Sequence, residues 1–251
     1  MASRRGRMLD GVLLLDKPAG LSSNHALQRA KRTMDARKAG HTGTLDPFAT
    51  GLLICCFGRA TKLSARMLEA DKVYEATLAF GEETDSGDLT GHIVARADDD
   101  FAGVAPAQLE AVLGEFRGEI QQIPPMVSAL KRDGKPLYEY ARQGIELERA
   151  PRSVTIHALE LLACDGRHAS VRVHCSKGTY VRTLAQDIGR RLGCRAHLSA
   201  LRRTAVGPFS IERAVGLEAL QAMTAPEQTL LPLHALPDGL RPTDISTKEI
   251  L

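Results

Sequence analysis

The stretch Gly40-His41-Thr42-Gly43-Thr44-Leu45-Asp46-Pro47-Phe48-Ala49-Thr50-Gly51-Leu52-Leu53 constrains this chain more than any other. Its glycines, histidine, aspartate and proline describe a rigid loop of special backbone shape. The residue before a proline is pushed out of the α region, and Pro47 fixes its own φ, so Asp46 is held at a corner that can aim a carboxylate. The commoner use of a lone Asp-Pro pair is a helix start, with Asp46 as N-cap and Pro47 as first helical residue.

The remaining pattern predicts an alternation of strands and helices. Residues 11–15 read as a short buried strand running into a Lys17-Pro18-Ala19-Gly20 turn. Ser22 or Ser23 caps a helix through about Met34, with Ala26, Leu27, Ala30 and Met34 near one face. Residues 52–57 read as a buried strand, 60–68 as a helix and 73–80 as a strand of alternating faces. The acidic segment 81–88 reads as a solvated loop and receives no role. A helix over 106–116, an Asp133-Gly134 turn and a helix through Tyr138, Tyr140 and Arg142 follow. Strands over 154–162 and 170–175 lead to a helix with Thr179 as N-cap, and a short helix over 217–223 precedes a Pro-rich end. Arg182 then lies in a first helical turn, where a cation opposes the helix dipole. By itself it reads as a tolerated surface charge.

Charge is unevenly placed. Residues 1–70 carry 12 Lys/Arg against 5 Asp/Glu, residues 71–125 carry 3 against 12, and residues 126–251 carry 18 against 13. Two basic portions flank an acidic middle, which suits a polyanionic partner such as nucleic acid. The five cysteines show no C-x-x-C spacing and read as reduced core residues. With no H-E-x-x-H, no G-x-G-x-x-G and no phosphate loop, no metal and no organic cofactor is expected. No apolar run approaches a membrane span and no signal-type cleavage site follows the basic start, so the cytoplasm is the expected compartment.

The run around Asp46 matches G-H-T-G-x-L-D-P-x-A-T-G-x-L and resembles the active-site motif of the pseudouridine synthases, in particular the bacterial tRNA pseudouridine-55 synthase family. Four further segments resemble that family in the same order. They are D-K-P-x-G-x-x-S from Asp16, K-V-Y-E-A around Tyr74, C-S-K-G-T-Y-x-R-x-L from Cys175, and L-R-R-x-x-x-G-x-F from Leu201. P-x-x-S-A-L-K and Y-E-Y-A-R-x-G, between Ile123 and Arg152, resemble the family's flexible thumb insertion.

The resemblance implies an α+β pseudouridine synthase fold, a mixed, mostly antiparallel sheet in two halves flanking a catalytic cleft. The catalytic domain would cover residues 1–231, with the thumb at about 123–152. Residues 232–251 would form a tail too short for an RNA-binding module of the PUA type. The implied activity is isomerisation of uridine to pseudouridine at position 55 in the T loop of tRNA, by a monomer without obligate protein partner or membrane.

Asp46 would be the catalytic nucleophile, attacking at C6 or C1′ or stabilising a glycal-type path. Arg182 would pair with it. Tyr74 and Tyr180 would line the pocket, one stacking on uracil and one a candidate to move a proton. His41 would fill the vacancy left by the flipped base. Leu201 would close the base pocket, with Lys17 and Arg202 among the RNA-binding residues.

Overall fold

The structure, a computed structural model, describes residues 6–240. The last part of the expected tail, residues 241–251, lies outside them. Within a first unit formed by residues 1–70 and 203–251, the chain begins with β1 (Gly11–Lys17), α1 (Ser23–Thr33), β2 (Ala39–Thr42), β3 (Thr50–Phe57) and α2 (Ser64–Glu69). The second unit, residues 71–202, adds β4 (Lys72–Phe80), β5 (Glu82–Thr84), β6 (Ile93–Arg96), α3 (Pro106–Glu115), β7 (Gly118–Gln122), β8 (Lys131–Arg132), β9 (Lys135–Pro136), α4 (Leu137–Ala141), β10 (Arg152–Cys164), β11 (His168–Cys175) and α5 (Val181–Arg191). At Arg203, partway along β12 (Ala196–Val206), the chain re-enters the first unit and continues through β13 (Phe209–Ser210), β14 (Val215–Gly216) and α6 (Leu217–Ala222).

In the first unit β1 pairs antiparallel with β3 from Gly11↔Phe57 to Lys17↔Gly51, β3 pairs antiparallel with β2, and β14 runs parallel to β1. The apolar runs Val12–Leu15 and Leu52–Phe57 are near-continuous because both faces of these strands are buried. One face carries Val12, Leu14, Leu52, Ile54 and Cys56 against Leu63, Met67, Phe209, Leu233 and Leu236. The other carries Leu13, Leu15, Leu53, Cys55 and Phe57 against Ala26, Leu27, Ala30 and Met34 of α1 and Leu217 and Leu220 of α6. Each fully buried Val, Leu, Ile, Phe or Met side chain among them stabilises the fold by about 1.5–3 kcal/mol. Leu233 and Leu236 thus place the start of the C-terminal segment in this core, and Leu231 exchanges two backbone hydrogen bonds with Val12.

The second unit holds an antiparallel run β4-β11-β10-β7. Helix α3 packs on β10 and α5, and α5 packs on β4. Val171, Val173 and Cys175 alternate inward along β11 as their period requires. Asp133 and Gly134, both at positive φ, make the tight β8/β9 turn in the thumb segment. The fold is therefore α+β with a mixed, mostly antiparallel sheet.

Local readings are corrected in three places. The expected helix over 60–68 is a 3-10 segment, Gly58–Leu63, followed by α2. The N-cap of α5 is Tyr180 and not Thr179, whose hydroxyl donates to the Ser176 carbonyl at 3.0 Å instead. The acidic segment 81–88 carries β5, which pairs with β6 beyond it, and its Glu83, Thr84, Ser86 and Asp88 are buried.

Candidate active site

Strands β2 and β3 form a hairpin whose register pairs His41 with Cys55 and Thr42 with Ile54, and residues 43–49 are its turn. No helix starts at Pro47; the Ala49 amide donates to the Asp46 carbonyl at 3.1 Å. The N-cap use of the Asp-Pro pair is thereby excluded. Asp46 sits half-buried in the turn, between two neighbours that are fixed from outside.

The neighbour on its N-terminal side, Leu45, is held at both backbone groups by one hydroxyl. Ser23 Oγ accepts from the Leu45 amide at 2.7 Å and donates to the Leu45 carbonyl at 3.0 Å. Ser23 can do this because Ser22 takes the cap of α1, accepting from the His25 amide. On the other side, the Pro47 carbonyl accepts from the Gly20 amide at 2.8 Å and from Lys17 Nζ at 3.4 Å. Lys17 is 0% exposed and also donates to the carbonyls of Leu21 and Pro18, at 2.7 and 2.9 Å. A buried ammonium persists only where its donors are used, and here three carbonyls use them.

The ends of the turn are closed by a residue that sequence reasoning passed over. Arg203, 1% exposed, donates Nη2 to the Gly43 carbonyl at 3.0 Å and Nε to the Leu52 carbonyl at 2.8 Å. Its backbone backs onto Gly51, where φ is 103° and a Cβ would stand 2.3 Å from the Arg203 carbonyl oxygen. Only glycine fits there. The signal for Arg203 was present: on a strand, residues two apart share a face, so Arg203 faces with the buried Leu201 while Arg202 turns the other way and is half-buried.

These groups are electrostatically coupled. Burial pushes the Lys17 ammonium down to about 8; the Asp46 charge opposes this and the Arg203 charge adds to it. Burial, and then the Arg203 charge, also lower the His41 imidazole below its usual range, so this half-buried ring is neutral at pH 7. Its Nδ1 is a buried atom without a hydrogen-bond partner among the described residues. Lys17, His41 and Asp46 therefore gather in the first unit around Arg203.

In the second unit Arg182 is no surface charge: at 3% exposed it lies in the first turn of α5. It donates Nη1 to the Ser86 carbonyl and Nη2 to the Val127 carbonyl, both at 2.7 Å, and its Nε stands 3.8 Å from Asp88 Oδ2. Asp88, 4% exposed, accepts from Ser86 Oγ and the Thr90 amide at 2.9 Å. The acidic loop read as solvent-facing thus supplies both a carbonyl and an anion to Arg182. Nothing in the spacing of that loop distinguishes it from a surface turn. Tyr180 is placed by Gln122, whose amide pairs with both its backbone groups at 3.1 and 3.4 Å. Tyr74, on β4, and Leu201, on β12, are buried.

This α+β fold, with Asp46 held at a glycine-rich corner, is that of the pseudouridylate synthases. The chain matches the TruB family pseudouridylate synthase N-terminal domain over residues 31–181 and the tRNA pseudouridylate synthase B C-terminal domain over residues 182–246, and it belongs to the TruB family. It is 75% identical over 242 residues to the tRNA pseudouridine synthase B of Bordetella pertussis, covering 96% of this chain and 99% of that protein. It is 63% identical over 219 residues to the protein of the same name from Azoarcus sp., covering 87% and 72%. Among solved structures it resembles a Cbf5-Nop10-Gar1 complex with TM-score 0.70 and 30% identity over 90% of this chain, and spans 60% of that chain. A structure of an H/ACA RNP bound to a substrate RNA containing 2′-deoxyuridine follows, with TM-score 0.67 and 28% identity over 90% of this chain and 60% of that one.

Proposed function

We propose that this protein isomerises uridine to pseudouridine at position 55, in the T loop of tRNA, with Asp46 as the nucleophile. The observation that carries this reading is the fixation of Leu45 and Pro47 on either side of Asp46, since a preorganised carboxylate reacts without first reorganising its surroundings. The family and the names of the relatives support tRNA as substrate. A base stacked inside a folded loop must be flipped out first, at a cost of a few kcal/mol. The neutral state of His41 supports a stacking role for its ring in the RNA rather than a charge contact.

Arg182 takes the role of counter-charge to Asp46 in this reading, Tyr74 and Tyr180 the roles of base platform and proton carrier, and Leu201, Lys17 and Arg202 those of pocket closure and RNA binding. The thumb at 123–152 closes over bound RNA. The enzyme works as a cytoplasmic monomer without a protein partner, and its chemistry draws on no organic cofactor.

Tritium release from tRNA labelled at C5 of uridine tests this. The parent protein is expected to release one tritium per tRNA and Asp46→Asn none, at equal tRNA affinity; a transcript carrying cytidine at position 55 should release none with either protein. Equal release from that transcript overturns the position, and release by Asp46→Asn overturns the role of the carboxylate.

A further inference from the structure

Away from the residues discussed so far, three antiparallel strand segments of the second unit bring three metal-ligating side chains to one place. His174 lies on β11, next to β4 in a register that pairs it with Val73. Asp71 immediately precedes β4. His157 lies on β10 at a register break, because Ile156 pairs with Cys175 while Ala158 pairs with His174. The extra residue of such a bulge is re-aimed relative to its strand, and here the residue re-aimed is a histidine.

The result is a compact donor set. His157 Nε2 stands 3.3 Å and His174 Nε2 4.0 Å from Asp71 Oδ2, and all three ligand atoms lie within 4.8 Å of one another. The two imidazole rings are 4.8 Å apart between centroids and tilted by 50°, so they converge without stacking. Tetrahedral zinc with bonds of about 2.0–2.1 Å separates its ligands by about 3.3 Å. The observed spacings are met by side-chain movements of under about 1 Å, which exposure of 36%, 43% and 47% for His157, His174 and Asp71 leaves free.

We propose that Asp71, His157 and His174 form a binding site for a divalent transition metal, zinc by its donor set of two imidazole nitrogens and one carboxylate oxygen. Three ligands on three adjacent strand segments make the bound ion a clamp across β10, β11 and the start of β4, with water completing its coordination. The sequence pattern expected no metal. Asp71, His157 and His174 are far apart in sequence and come together only through strand pairing and a bulge.

The test is titration of the full chain, in metal-free buffer with a non-chelating reductant, by zinc in a calorimeter and by cobalt(II) in an absorption spectrometer. The expected result is one equivalent of zinc per chain with micromolar affinity, and a cobalt spectrum of the low-coordinate type. His157→Asn and His174→Asn should each weaken binding by at least about tenfold. Zinc should raise the melting temperature of the parent but not of the doubly substituted protein. The single variant His157→Asn, exposed on its strand, keeps the test valid where the double variant fails to fold. Binding weaker than millimolar in the parent, or affinity unchanged in His157→Asn, overturns the site and leaves a carboxylate shared by two surface histidines.

Discussion

The two charged groups on which the proposed chemistry turns are anchored differently. The Asp46 turn is held by rigid elements: a helix residue, Ser23; a strand residue, Arg203; and a lysine at the end of β1, Lys17. Arg182 donates to loops, to the Ser86 carbonyl of the acidic segment and to the Val127 carbonyl. The first arrangement rests on helix and strand residues, while the second ties Arg182 to two segments of irregular backbone. One unit supplies a carboxylate whose backbone neighbours are fixed, and the other an arginine whose donors are used by loop carbonyls.

That contrast can be broken at its stiffest point. Gly51→Ala drives a methyl into the Arg203 backbone at a positive φ, and should lower stability by about 4 kcal/mol, seen as a fall in melting temperature of roughly 8–16 °C. A change within 2 °C would mean that the turn yields. Arg203→Met leaves the Gly43 and Leu52 carbonyls without their charged donors. We expect about 3 kcal/mol of destabilisation in urea, with the remaining folded protein losing kcat while its tRNA affinity holds.

A milder substitution sharpens the other side. Asp88→Asn keeps an acceptor beside Arg182 but removes the negative charge. Turnover of the folded protein should fall by about tenfold, or about 1.4 kcal/mol; unaltered turnover would make Asp88 a structural residue only.

The smallest expected effect is a pH dependence. Lys17 titrates near 8 in the folded protein and at 10.5 in its ordinary state, so between these values the unfolded chain binds more protons. Stability from Lys17 therefore rises with pH across this window, by roughly 1 kcal/mol between pH 8 and 9. Urea unfolding of the parent, compared with Lys17→Met at the two pH values, measures it. A difference that falls with pH would contradict the burial argument.

Legibility in the sequence followed how local the determinants were. The apolar runs of β1 and β3, the cap of α1, the Asp133-Gly134 turn and the inward alternation of β11 rest on neighbours in sequence, and the structure has them as expected. The corner at Asp46 was also readable, because Pro47 and the glycines act on the backbone directly. Asp88 was not, because an acidic residue among polar ones looks solvated until a buried guanidinium from 94 residues away is placed beside it. Arg203 and Arg202 are adjacent and chemically identical; only strand parity separates the buried one from its half-buried neighbour. Helix α5 starts one residue later than a Thr179 cap predicts, with Tyr180 at the cap, and the Thr179 hydroxyl donates to the Ser176 carbonyl.

The fastening of the Asp46 turn also fixes an order of assembly. Ser23 and Lys17 lie 22 and 30 residues from their partners in the turn, whereas Arg203 lies 151 residues from Leu52 and 160 from Gly43. Contacts of such separation form late, because the intervening chain must be closed first. A nascent chain leaving the ribosome can dock the turn on Ser23 and Lys17 early, but its ends stay open until the residues through Arg203 have been made. The Asp46 turn is thereby closed at both ends only after the chain has been made through Arg203.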